Sequence, residues 1–178
     1  LGEIALTSGE LAVAHAYLVQ AIPFLNRECE SLYVGVFVAM AHTHLAEIAL
    51  AYGNPSQARY ELCQALPQAR LAIRRLRCLL VTLTGILLYP QHTTATQEVP
   101  TKDVTAASEL LGTVAGLGER TGDTLSPFHQ RLIAQRSAAA QRLLTQSIWQ
   151  TAWQQGHTWT PTQAADAAER WLALSDEK

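Results

Sequence analysis

Apolar and polar positions along the chain recur with the period of a helix, and no run alternates with period two for long enough to read as a strand. The pattern predicts a helix over about Glu10–Glu28, with Pro23 expected to bend or end it. A longer one follows over about Ser31–Tyr52, stopped by Gly53-Asn54-Pro55, and then a partner over Pro55–Leu66 ending near Pro67. The next is expected over about Gln68–Tyr89, with Ile73, Leu76, Leu80, Leu83 and Leu87 on one face. Residues 90–102 are polar and threonine-rich and read as a surface loop. Beyond it the pattern predicts a helix over Asp103–Leu117 capped by Gly118. Another spans 126–144, with Ser126 at the N-cap and Pro127 at the first position. A third, Gln146–Gln155, closes at Gly156, and Thr160-Pro161-Thr162-Gln163 forms a capping box that opens a last helix to Leu174. The expected fold class is all-α.

Two stretches align when their glycines are superposed. Leu1, Gly2, Glu3, Ile4, Ala5, Gly9, Ala14, Leu18, Ala21 and Ile22 pair with Leu45, Ala46, Glu47, Ile48, Ala49, Gly53, Ala58, Leu62, Ala65 and Leu66, each offset by 44. Small residues at fixed positions let two antiparallel helices approach closely, and the glycine breaks the chain between them. Self-similarity of this kind marks a repeat array, since one hairpin cannot bury its own face.

Leu1, Gly2, Ala5, Gly9, Ala14, Leu18 and Ala21 resemble the tetratricopeptide repeat, with Ala46 in place of the glycine in the second copy and a period longer than usual. Such long repeats are similar to those of large bacterial signalling ATPases and transcriptional regulators. Ala106 to Gly112, then Gly122, Leu125 and Pro127, and later Ala152 to Gly156 with Thr162 to Ala165, resemble the closing segment of those regulators. The resemblance implies a right-handed superhelical array of antiparallel hairpins, an α-solenoid. Residues 1–89 would be repeats, 90–102 a loop, and 103–178 repeat and capping helices of the same domain. It further implies a module that binds a protein or peptide segment, including other domains of its own parent chain. A small-molecule effector domain of a transcriptional regulator is the alternative.

Composition agrees with a globular helical chain. Alanine fills 28 of 178 positions, 48% of residues are apolar and 16% charged. A formal net charge of −2 argues against a surface that works by neutralising phosphates, so direct nucleic-acid binding is not expected. Cys29, Cys63 and Cys78 are an odd number without a CxxC spacing and read as buried free thiols of a cytoplasmic protein. The longest apolar run, Cys78 to Tyr89, is too short to span a bilayer, so no membrane association is expected. The chain opens inside helical pattern at Leu1, and we read it as a piece of something longer.

The candidate chemistry is sparse. His42 and His44 lie two apart on a helix, about 200° around it, and cannot grip one ion. Gly116 to Gly122 has neither the preceding strand nor the GK[ST] of a phosphate loop and reads as a helix-terminating turn. Asp166 and Arg170 are spaced for an exposed i,i+4 pair. No catalytic residues, cofactor or metal are assigned, and the chain is expected not to be an enzyme. Trp149, Trp153, Trp159 and Trp171 fit either a packed terminal cap or a contact patch for a neighbouring domain. Arg70, Arg74 and Arg77 share a stripe on the expected fourth long helix, as a solvated flank or a docking site for an acidic group. Mapping the repeat resemblance onto the helix before Gly53 points Met40, Thr43, Glu47 and Leu50 into a binding groove.

Overall fold

The structure, a computed structural model, describes residues 1–27, 32–89 and 99–173. Nine helices occur among them: α1 Gly2–Thr7, α2 Leu11–Arg27, α3 Leu32–Ala51, α4 Pro55–Ala69, α5 Ile73–Leu87, α6 Thr101–Thr121, α7 Pro127–Leu143, α8 Gln146–His157 and α9 Pro161–Ala173. No strand occurs among the described residues. The chain divides into two compact units, Leu1–Leu79 with Glu169–Lys178, and Leu80–Ala168. The division falls inside α5 and α9 rather than at the polar segment 90–102, of which residues 90–98 lie outside the described residues.

In the first unit α1 packs on α2, α2 on α3 and α3 on α4. The 44-residue duplication is present in the hydrogen bonding itself. Gly9 and Gly53 both adopt left-handed backbone, φ 80° and 76°, where a side chain would be strained. Gly9 N–H donates to the Leu6 carbonyl at 3.1 Å and Glu10 N–H to Ala5 at 2.9 Å. In the second copy Gly53 N–H donates to Leu50 at 3.0 Å and Asn54 N–H to Ala49 at 2.8 Å. Each is the same 6→1, 5→2 closure of a helix C-terminus. The residues facing inward within each hairpin are buried in both copies: Ala5 and Ala49, Ala14 and Ala58, Leu18 and Leu62.

Helix α3 carries apolar residues around its whole circumference, with His42, Thr43, His44 and Glu47 among them, and Leu45, Ala46, Ile48 and Ala49 are all buried. By length and composition its segment Val34–Ala51 would also cross a membrane; 61% of it is buried inside the protein. Asn54 caps α4 by accepting Gln57 N–H at 3.0 Å, with Pro55 at the first position. Prolines do less than expected. Pro23 lies inside α2, and α4 continues past Pro67 to the buried Ala69, because burial of the apolar face outweighs one lost hydrogen bond near a helix end. Arg59 reaches the carbonyls of Trp171 and Leu172, placing a cation at the C-terminal end of α9. Thr160 and Gln163 make the expected box at the start of that helix: Gln163 N–H donates to Thr160 Oγ1 at 3.3 Å, and Thr160 N–H to Gln163 Oε1 at 2.8 Å.

In the second unit α6 packs on α7 and α8. Val104, Ala140 and Leu144 form a core cluster with Leu88, Val99 and Trp149 packed against it. Helix α6 corrects two expectations. It starts at Thr101, inside the expected loop, and it runs past Gly118, which is buried, to end at Gly122 with φ 65°. Gly156 does not terminate α8 either; it lies inside that helix. A Cβ on Gly156 would overlap the Glu109 carbonyl, one on Gly112 the Trp153 carbonyl, and one on Gly116 the His157 carbonyl. These glycines let the two backbones touch, and Thr113 Oγ1 uses the approach to donate to the Gly156 carbonyl at 2.9 Å. Arg120 ties off the seam by donating to the His157 and Trp159 carbonyls at 2.8 and 2.6 Å. Ser126 flanks α7 as expected, but its hydroxyl bonds His129 Nδ1 at 2.9 Å rather than a backbone N–H.

Candidate functional site

A cleft of about 350 Å³ opens in the first unit between α2, α3 and the start of α4. Its walls are Ala12, Leu45, Ile48 and Ala49, and its polar lining is His15, Tyr52, Asn54, Gln57 and Glu61. The duplication builds it. The glycine turn at 53 and the Asn54 cap set where α4 starts, and one and two helical turns later Gln57 and Glu61 line up on one side of α4.

Glu61 is the group that stands out. It is buried, next to the apolar stripe of Ala58, Leu62 and Ala65 on the same helix. Its Oε2 accepts from His42 Nδ1 at 2.7 Å and its Oε1 from Gln57 Nε2 at 2.7 Å. Two donors from different helices therefore hold the carboxylate in one orientation. A carboxylate offers about four acceptor sites, so it retains capacity beyond these two bonds. Tyr52, 60% exposed, stands at the rim.

The expected groove residues are unequally exposed. Thr43 is 2% exposed and Glu47 7%. Thr43 Oγ1 donates to the Ala39 carbonyl at 2.7 Å, and Met40 and Leu50 are half-buried. Of the four residues on α3 assigned to the groove, Thr43 and Glu47 are thus covered and Met40 and Leu50 keep part of their surface open. The arginine stripe is also broken. Helix α5 begins at Ile73, so Arg70 sits at the C-cap of α4, where it pairs with Glu169 at 2.6 Å. Arg74 is exposed on α5 while Arg77 is buried. Glu169 thus takes a partner on another helix.

The histidines divide as their spacing requires. His42 turns to Glu61, whereas His44 is buried, and burial pushes its pKa down to about 4, with Arg75 adding to the effect and Glu47 opposing it. Among the described residues no three His, Cys, Asp or Glu side chains are grouped to hold a metal ion. The cysteines depart from expectation in part: Cys78 is buried, Cys63 is exposed, and Cys29 lies outside the described residues.

A second groove of about 320 Å³ runs along α8, lined by Trp149, Gln150, Trp153 and Gln154. Trp149 stacks on Trp153 with centroids 6.3 Å apart, and Trp153 lies 4.9 Å from the His157 ring. His157 Nε2 in turn bonds Glu119 at 3.0 Å. Of the four tryptophans, Trp149 contributes to the core cluster of its unit.

Comparison with known protein families, with curated proteins and with solved structures finds no match to this chain. The cleft is the feature of the molecule that bears on function. Sequence reasoning missed His15, Tyr52, Gln57 and Glu61. The one available signal was a carboxylate beside a stripe of alanine and leucine at 58, 62 and 65; its partner His42 is 19 residues away and nothing local links the two.

Proposed function

We propose that this chain is a non-catalytic, tetratricopeptide-like helical-repeat module that binds a segment of a partner protein, within a larger bacterial signalling or transcriptional regulator of the cytoplasm. The observation that carries this reading is the cleft between α2, α3 and α4, formed where one copy of the 44-residue repeat meets the next. Consecutive hairpins of an α-solenoid present such concave surfaces, and a segment lying across them is recognised by a few side chains that enter. The polar groups of the cleft also favour binding over catalysis: Asn54 caps a helix and Glu61 is held by two donors.

A second reading has its own support. The cleft volume falls at the low end of the roughly 300–1,000 Å³ found for small-molecule sites, and its apolar walls with few polar groups fit that chemistry. A small effector would then occupy it.

The test compares the wild type with Ala12→Trp, which fills the cleft from an exposed wall position of α2 and removes no buried group. Each protein is used to capture binders from cell extract, with native mass spectrometry for mass and hydrogen exchange for location. A polypeptide retained only by the wild type, slowing exchange over 45–61, is the expected result. A retained small molecule with the same footprint selects the second reading. Equal capture by both proteins, or no protection at the cleft, overturns both.

A further inference from the structure

Ile48, Gln57 and Glu61 line one cleft in the second copy of the repeat, and their counterparts 44 residues earlier are Ile4, Val13 and Tyr17. The first copy keeps that side of its hairpin apolar and open. Val13 is 42% exposed, Tyr17 43%, and Phe24, further along α2, 67%. The cause is the length of the first helix. In the second copy Glu61 bonds His42, and Gln68, the counterpart of Phe24, lies against Gly35, so the first half of α3 runs antiparallel to α4 and covers this side of it. Helix α1 has six residues where α3 has twenty, so among the described residues the equivalent side of α2 stays bare.

The bare side has an order. Glu10, Val13, Tyr17, Gln20, Phe24 and Arg27 are all exposed and follow one another at intervals of 3, 4, 3, 4 and 3, the spacing of a two-helix seam. These intervals read the same from either end, but the charge does not: Glu10 opens the stripe and Arg27 closes it. An antiparallel copy of the same stripe is its complement. It sets Glu10 against the partner's Arg27 at both ends, Val13 against the partner's Phe24, and Tyr17 against the partner's Gln20. A parallel copy would instead set like charges on each other at both ends.

We propose that two copies of this chain associate through α2, antiparallel across a two-fold axis, with Val13, Tyr17 and Phe24 as the apolar centre and Glu10 and Arg27 pairing at each end. The partner's helix then takes the place beside α2 that the first half of α3 takes beside α4, in the same direction. Such a contact is isologous and closes at two chains. Ala12 and His15, the α2 residues that line the cleft, fall outside the stripe, so the contact stands apart from the binding reading above. Helix α2, with 17 residues, is about 25 Å long. One helix pair of that length lies at the low end of specific interface sizes, so the expected dimer is weak, with a Kd of micromolar order.

Sedimentation velocity from about 1 µM to about 1 mM protein brackets that range. It is run at low ionic strength, with reductant so that the exposed Cys63 does not link copies. The weight-average mass is expected to rise from one chain to two and stop there. Phe24→Glu, at an exposed position, should stay monomeric throughout with an unchanged far-UV circular dichroism spectrum. Glu10→Arg and Arg27→Glu each put like charges at both ends of the antiparallel pair, and each should weaken association by about tenfold. Mixing these two variants restores both pairings and should return the mass to that of a dimer at wild-type concentrations, a rescue that misfolding of either variant would prevent.

A monomer at every concentration overturns the proposal. So does a dimer that Phe24→Glu leaves intact, because another face then holds it. A mixture of the two charge variants that associates no more tightly than either alone overturns it as well, since the antiparallel pairing requires the rescue.

Discussion

The environment of individual side chains sets measurable behaviour. His44 is neutral at pH 7 because burial lowers its pKa from 6.5 to about 4. The unfolded chain then binds more protons than the folded one between those values, so stability falls as pH drops through that window. The loss from this one group is about 3 kcal/mol by pH 4. Urea midpoints of wild type measured from pH 7 to pH 4 should fall with that slope, and His44→Leu should flatten it. The cysteines give a second test. Burial raises the Cys78 thiol to about 11, which keeps it protonated and unreactive, whereas Cys63 is open to reagent. Iodoacetamide should modify Cys63 in the native protein and Cys78 only after unfolding; peptide mapping at timed intervals reads the order.

Elements carry consequences that single residues do not. Ile4 and Ile48 occupy the same position in the two copies of the repeat, yet Ile4 is 67% exposed and Ile48 1%. What differs is the neighbour: α3 has α2 and α4 against it, and α1 has only part of that cover among the described helices. Ile48→Ala should therefore cost about 2–5 kcal/mol and Ile4→Ala less than about 0.5, compared by denaturant titration. The α6–α8 seam makes a similar contrast between glycines. Ala at 156 would drive its methyl into the Glu109 carbonyl, and separating two helix backbones is expected to cost about 3 kcal/mol or more. Ala at 122 meets nothing and is strained only by its positive φ, a cost of about 1 kcal/mol. Thermal denaturation of the two variants should rank them in that order.

Across the whole molecule, the helices were legible and the tertiary neighbourhoods were not. Signals that act within a few residues translated directly: the glycine turns at 9 and 53 and the box of Thr160 and Gln163 are local hydrogen-bond patterns, and each stands where it was expected. Asn54, expected only as part of a stop, also caps α4. Signals whose meaning depends on a distant partner did not. Gly156 near a helix end looks like a terminator until Glu109 is seen against it. Helix α3 carries apolar residues around its whole circumference, so its pattern does not separate a face open to a partner from a covered one, and Thr43 and Glu47 are buried while Met40 and Leu50 are half-buried. The arginine stripe depended on where α5 begins, and Leu71-Ala72 carries no cap residue to mark it. Glu61 and His42 meet because two helices of a hairpin pack, a fact no short window contains.

The glycine seam also bears on descent. A surface position such as Gln150 is free to drift, whereas any relative that keeps α6 and α8 in backbone contact must keep a hydrogen atom in place of a side chain at 112, 116 and 156. Those three sites, spaced four apart on one helix and answered by one on the other, form a fingerprint by which distant relatives can be gathered when overall identity has faded.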